Sequence, residues 1–471
     1  MTFTGANGAG AEPPRDAGSL GAALENVIEP IIGTQLVGCV VGVQTPSYTF
    51  VRGYGGLTPG DASPGGPSPE GPSPAADTIY EIGSITKAFT GTLLADAVLR
   101  GEMSLDDPAS KWLPEDAGLE VNDTPVSLRH LATHTSGFGP VPANLKPKDS
   151  ERPFDGYGVD ALLASLASFR PPNAPGSYAY SNYAMGTLGV LLERATGKSY
   201  DQLLVERITG PLGMRDTTVV VPEAARDRFA PPHIDARLPG HEWNLGQGMR
   251  ACGAIRSTAA DLLKLAAAAS NARQGSAPDE SPVHAALALA TSPHHEGAPV
   301  TVGLGWHRAA DGVTWWHNGQ TGAYASWLSS SAGAPEVGDL SVVVLSNTAN
   351  PVVTRLGQEV AKAALGLPTE SLVSKPSYAV DEATLAKYRG LYLLAPFSYI
   401  EVRPGQDRIY ARLTGQGTAA VMPTAEHTFE YSIVPAKLVF DVEEDAEHAT
   451  SLTLFQNGME LVAPRVGDLA E

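Results

Sequence analysis

The sequence predicts an α/β (α+β) chain: one antiparallel sheet flanked by helices, a mainly helical subdomain inserted into it, and a small all-β unit behind it. Three observations predict this. Strand patterns stand near both ends of residues 20–366, each beside a helical pattern, so the two ends meet in one sheet. Between them, from about 84 to 268, helical periodicity dominates. From Leu385 the texture changes to short alternating strands separated by turns, as in an antiparallel barrel or sandwich. The expected division is a disordered tail over 1–19, a candidate catalytic domain over 20–366, a linker over 367–380 and the β unit over 381–471. A length of 471 residues fits two or three domains better than one core.

Lys and Arg total 32 against 51 acidic residues, a formal charge of −19. That balance speaks against nucleic acid or an anionic membrane as partner. The first twenty residues have neither the basic nor the apolar region of an export signal, and no apolar run reaches membrane-spanning length. Cys39 and Cys252 cannot make a disulfide framework, and no Cys/His cluster has metal-site spacing. A cytoplasmic enzyme without metal or cofactor is expected.

In chain order, Leu20–Ile32 reads as an amphipathic helix. Leu36–Phe50 is β-rich, and Val51–Gly55 makes it a hairpin. Gly56–Ala76, rich in Pro, Gly and Ser, is a surface loop. Phe89, Leu93, Leu94 and Val98 mark a helix ending at Gly101, with Ser84 and Lys87 three apart at its start. That spacing puts hydroxyl and amine on one face, and the helix start offers unpaired N–H groups to a developing oxyanion. A desolvated Lys loses proton affinity and becomes a base for the hydroxyl beside it. The plainer alternative is a capped helix whose Lys faces solvent.

Within VSLRHLATHTSG, His130 and His134 stand four apart on a short helix. No Glu lies between them, so their imidazoles are read as bonding loop backbone, not metal. Val159–Phe169 is helical. Tyr180 and Asn182 occupy a loop-to-helix junction, where both can point into one cleft; Asn182 as N-cap and Tyr180 as core is the alternative. Ser257 and Thr258 cap the helix Ala259–Ala268. Strand signals return at Val300–His307. Val313–Gly319 and Ala323–Ser329 read as an antiparallel pair with Leu340–Leu345 beside them, and Val353–Leu365 closes the domain as a helix.

Three motifs in order, Ser84-Ile-Thr-Lys87, Tyr180-Ser-Asn182 and His317-Asn318-Gly319, resemble the signature of serine β-lactamase-like and penicillin-binding enzymes, nearest the class C and esterase branch. The flanks HLATHTSG, LDDPASKWLP and GAIRSTAADLLKL match too, over roughly 20–366. The tail, from Tyr388-Arg-Gly-Leu-Tyr to FQNG, resembles the lipocalin-like domain appended to some members. The resemblance implies a β-lactamase/transpeptidase-like fold with Ser84 as nucleophile, Lys87 as its activating partner and Tyr180 as acid/base. Asn182 would bond the acyl side chain, and the N–H groups of Ser84 and Gln320 would form the oxyanion hole. His317, the fourth catalytic candidate, stands where lactamases usually have Lys; the resemblance implies that it orients Tyr180 or, when protonated, binds a carboxylate, as a weaker cation near neutral pH.

Among family activities, the resemblance implies a stand-alone penicillin-binding-type thioesterase. Such an enzyme takes a non-ribosomal peptide thioester from a peptidyl carrier protein and closes it head to tail. An esterase or D-amino-acid peptidase, a β-lactamase, and a non-catalytic peptide-binding module are the alternatives. Tyr157, Trp243 and Arg250 are further candidates for the cleft, Trp243 as an apolar wall and Arg250 as a carboxylate partner; core or surface packing is the other reading.

Overall fold

The computed structural model describes residues 12–60, 71–114, 119–121, 124–149, 151–170, 174–276, 281–334, 337–373, 378–395, 398–405, 407–414, 418–431, 436–443, 445–456 and 459–469. Residues 1–11 of the expected tail, 61–70 of the surface loop, 374–377 of the linker and 457–458 of FQNG lie outside them.

The apolar runs at the two ends of the main domain form one antiparallel sheet. Its strands are β1 (Gly38–Gln44), β2 (Thr49–Gly55), β3 (Thr301–Val302), β4 (His307–Arg308), β5 (Thr314–Gln320), β6 (Ala325–Ala334) and β7 (Gly338–Ser346), in the order β2-β1-β7-β6-β5-β4-β3. The chain ends meet where β1 pairs with β7, Cys39 opposite Ser346 and Gln44 opposite Ser341. Side chains along β7 alternate between two cores, as a period of two requires for a sheet covered on both faces. Val342 and Val344 join the core under α1 (Ala17–Ile28) and α5 (Val352–Ala364), with Leu20, Leu24, Leu356 and Val360. Val343 and Leu345 join the larger core on the other face, with α2 (Thr86–Leu99) and α4 (Ala259–Gln274).

Several boundaries differ from the sequence reading. The first helix begins at Ala17, inside the expected tail, because the Asp16 side chain accepts the Ser19 N–H and caps it. It gives way after Ile28 to a 3₁₀ turn carrying Pro30. The helical insertion ends before α4, which lies on the sheet: Ser330 Oγ donates to the Ala266 carbonyl at 2.6 Å. The expected linker is anchored, with Leu372 buried in the sheet core and its carbonyl accepting Gln35 Nε2 at 2.9 Å. Within Val300–His307, β3 and β4 are separate strands because the chain turns between them, Gly303 N donating to Trp306 O.

After the six-residue helix Glu382–Lys387, eight strands form a closed barrel. They are β8 (Gly390–Ala395), β9 (Ser398–Pro404), β10 (Ile409–Leu413), β11 (Ala419–Ala425), β12 (Thr428–Tyr431), β13 (Ala436–Asp441), β14 (Ser451–Gln456) and β15 (Met459–Gly467). Each pairs with its chain neighbours, and β15 closes on β8. The interior is packed with Tyr392, Val402, Val421, Phe429, Phe440 and Leu452 among others. Closure leaves no sheet edge, which decides for a barrel over a sandwich. No helix of the described residues is long and apolar enough to cross a membrane.

Candidate active site

The nucleophile candidate stands on a tight turn. Gly83 has φ of +49°, a conformation that suits glycine, and opens a 3₁₀ turn Gly83–Ile85 that runs into α2. The end of β5 presses on this turn: a Cβ on Gly83 would lie 2.7 Å from Gln320 N, and one on Gly319 would lie 2.0 Å from Ile82 O. Only glycine fits at either place, and the Gln320 amide is thereby set beside the residue preceding Ser84.

Helix α2 is apolar or small nearly all round and is buried accordingly. Lys87 is therefore fully buried, and its Nζ lies 2.9 Å from Ser84 Oγ and donates to the Cys252 carbonyl at 2.7 Å. Burial lowers its pKa to about 8. Tyr180 completes the group. Lys87 Nζ lies 4.9 Å from its ring, and burial raises its pKa against a smaller opposing effect of the Ser84 side chain. Tyr180 is thus a neutral phenol at ordinary pH.

The HTSG loop holds the Tyr180 segment. Ala179 N donates to the His134 carbonyl at 2.7 Å, Ser181 N to His134 Nδ1 at 3.1 Å, and Ser181 Oγ to Gly139 O at 2.6 Å. Because Nδ1 accepts, the neutral His134 ring holds its proton on Nε2. Its ring lies 4.4 Å from that of Tyr180. The Ser181 side chain, not Asn182, caps α3 (Asn182–Thr196). Asn182 is half-buried on the first turn, with its N–H on the Pro140 carbonyl at 3.0 Å.

His317 lies on β5 with its ring 6.3 Å from that of Tyr180. Its Nδ1 bonds the Asn318 carbonyl at 2.6 Å, leaving Nε2 as acceptor. Burial holds its pKa well below the usual imidazole value, and the neighbouring His307 and Lys87 lower it further. The carboxylate-binding imidazolium that the sequence allowed is thus disfavoured. His307 itself is 4.9 Å from His317 ring to ring, stacks on Trp316 at 4.9 Å, and bonds Tyr178 Oη at 2.9 Å. Burial and then Lys87 push it down to about 4. His307, Tyr178 and the Cys252 carbonyl carry no motif, and only the folded sheet and loops bring them in. Among the described residues no group of three His, Cys, Asp or Glu could hold a metal ion.

Other candidates are placed elsewhere. Asn318 alternates to the opposite sheet face from His317, its Nδ2 donating to Thr354 Oγ1 at 3.1 Å. Gln320 reaches Ala349 O through its side chain, so only its backbone faces the site. Tyr157 is 7% exposed, and its hydroxyl is taken by Asn144 Oδ1 at 2.6 Å, so it packs rather than lines. Arg250 pairs with Asp201 at 3.2 Å and is not a carboxylate partner in the cleft. Trp243 is a wall of the neighbouring structure: its Nε1 donates to Glu151 O and its N–H to Glu81 Oε1, both at 2.8 Å. His130 caps its own helix through Ser127 and is structural.

The sequence also matches known proteins. A β-lactamase of Escherichia coli (strain K12) is 31% identical over 211 residues, 44% of this chain and 50% of that one. Esterase EstB of Burkholderia gladioli is 34% identical over 235 residues, 47% of this chain and 57% of that one. The chain spans about half the length of these curated relatives. The crystal structure of a class C β-lactamase from Rhodobacter sphaeroides superposes with a TM-score of 0.58 at 25% identity, covering 74% of this chain and 98% of that one. The family model described as Beta-lactamase matches residues 24–366, and the chain belongs to that family.

Proposed function

We propose that the protein is a serine acyl-enzyme hydrolase acting on uncharged acyl donors, esters first and D-amino-acid peptides second. The observation that carries this reading is the 2.9 Å contact between the buried Lys87 Nζ and Ser84 Oγ. As the free amine, Lys87 takes the Ser84 proton while Oγ bonds to the acyl carbon. The N–H groups of Ser84 and Gln320 are assigned to the oxyanion. Tyr180, whose phenol resists ionisation, gives its proton to the leaving atom as the acyl–leaving-group bond breaks, and regains one from protonated Lys87. Water then resolves the acyl-enzyme, with the same groups moving protons in reverse.

The two relatives described above are named for a β-lactamase and an esterase. A lactam drug's carboxylate needs a standing cation. A neutral His317, with Arg250 held by Asp201, favours the ester. The barrel packed beside the site, Arg412 on Glu151, favours an extended donor such as a peptide. That keeps head-to-tail cyclisation of a peptide thioester as the second reading, with an amine of the bound peptide replacing water.

The test is to treat the full chain with a fluorophosphonate, then assay a p-nitrophenyl ester, a cephalosporin and a linear peptide thioester ending in a D-residue. The expected results are an adduct on Ser84, ester turnover above cephalosporin turnover, and acid from the thioester. Cyclic product would install the second reading. Absence of any Ser84 adduct would overturn both.

A further inference from the structure

Barrel strand β10 is buried on both faces: Ile409 and Ala411 point into the barrel, while Tyr410 and Arg412 are each only 6% exposed. A barrel strand with one wet face does not need this, so the outward pair is covered by something else. The cover is the main domain. Tyr410 Oη donates to Asp235 Oδ2, and Arg412 Nη1 donates to Glu151 Oε1 at 3.0 Å.

Both contacts lead to the same place. Asp235 Oδ1 accepts the N–H groups of Arg237 and Leu238 at 2.8 and 2.9 Å and so shapes the 232–240 loop. That loop bonds Ala323 O through His233 N at 3.4 Å. The Glu151 carbonyl accepts Trp243 Nε1, and the same indole lies against Gly322. Residues 321–324 are the turn that follows Gln320, closed by Thr321 N on Tyr324 O at 3.0 Å. Trp243 N in turn bonds Glu81, three residues ahead of Ser84.

Resting on the acyl-enzyme reading above, we infer that Tyr410 and Arg412 are positioning residues. Through Asp235 and Glu151 they fix the two loops that hold the 321–324 turn and Trp243, and so set which acyl donors seat against Ser84. The barrel then belongs to substrate selection, while bond making stays with the main domain.

The test compares Tyr410→Phe and Arg412→Gln with the wild-type full chain, using a short p-nitrophenyl ester, a longer peptidyl ester and a small fluorophosphonate. Loss of a buried hydrogen bond to a charged group predicts a KM for the longer ester raised about tenfold. Its kcat and the labelling rate of Ser84 stay unchanged. Amide exchange in peptides spanning 149–157 and 321–324 becomes faster in both variants. An unchanged KM, or a fall of kcat and labelling together with no KM effect, overturns the inference. So does unchanged exchange in those peptides, whatever the activity. Failure of the wild type to label overturns the proposed function instead, and the exchange measurement still decides the bracing.

Discussion

His134 and Tyr180 lie ring to ring at 4.4 Å, and the same imidazole accepts the Ser181 amide at 3.1 Å. One loop residue thus fixes both the plane of the phenol and the backbone that bears it. His134→Phe keeps a ring against Tyr180 but leaves a buried N–H without an acceptor, at a cost of about 1–3 kcal/mol. Urea denaturation should show that loss, and ester kcat should fall with it; His134→Asn, which retains an acceptor, should recover part of both.

Lys87, brought down to about 8 by burial, predicts an ester kcat/KM that rises with pH below that value and levels above it. The unfolded chain's Lys ionises near 10.5, so between about 8 and 10.5 the unfolded state binds more protons and stability rises with pH. Below about 8 both states are protonated and the contribution is flat. The stability of wild type relative to Lys87→Met, measured by urea midpoint, should climb across that window. A constant difference there contradicts a buried, depressed lysine.

His307 donates to or accepts from Tyr178 at 2.9 Å and stacks on Trp316. His307→Phe preserves the stack and loses the hydrogen bond. Ester kcat is expected to drop about tenfold, the worth of roughly one hydrogen bond. His307→Gln should restore part of it. Equal rates in all three proteins would remove His307 from the site.

Arg256 and Glu81 form a buried pair at 3.1 Å, with side chains 6% and 2% exposed. Burial outweighs Arg256 and raises Glu81 to about 7 even with its partner present. Arg256→Met strands that carboxyl and should cost about 3–5 kcal/mol. Glu81→Gln leaves an acceptor for Trp243 N and should cost less. Thermal or urea unfolding of the two variants gives the order directly.

Ser84, Lys87 and Tyr180 are legible in the sequence because each stands at a short fixed offset within one turn or helix start. His317 is legible through the third motif of the resemblance, and strand alternation is what aims it. The same alternation sends Asn318 to Thr354, a consequence the motif alone hides. Tyr157 and Arg250 mislead because an aromatic or cationic residue near a motif does not reveal where its polar atom bonds, here Asn144 and Asp201. His307 stays hidden because only the folded sheet brings it to the site, and Tyr410 and Arg412 because only contacts between barrel and main domain place them on Asp235 and Glu151. The all-β unit is evident from its alternating strands and only closure makes it a barrel, whereas the length of the tail and the end of the helical insertion depend on a cap at Asp16 and on α4 packing.

The joint between the two bodies is fastened on both sides. Leu372 is seated in the sheet core with its carbonyl on Gln35, and Tyr378 N bonds Pro423 O at 3.3 Å on the barrel. The bodies also touch directly, Tyr410 on Asp235 and Arg412 on Glu151. On the proposed reading, the room left for a long donor beside Ser84 is a property of the assembled pair of bodies.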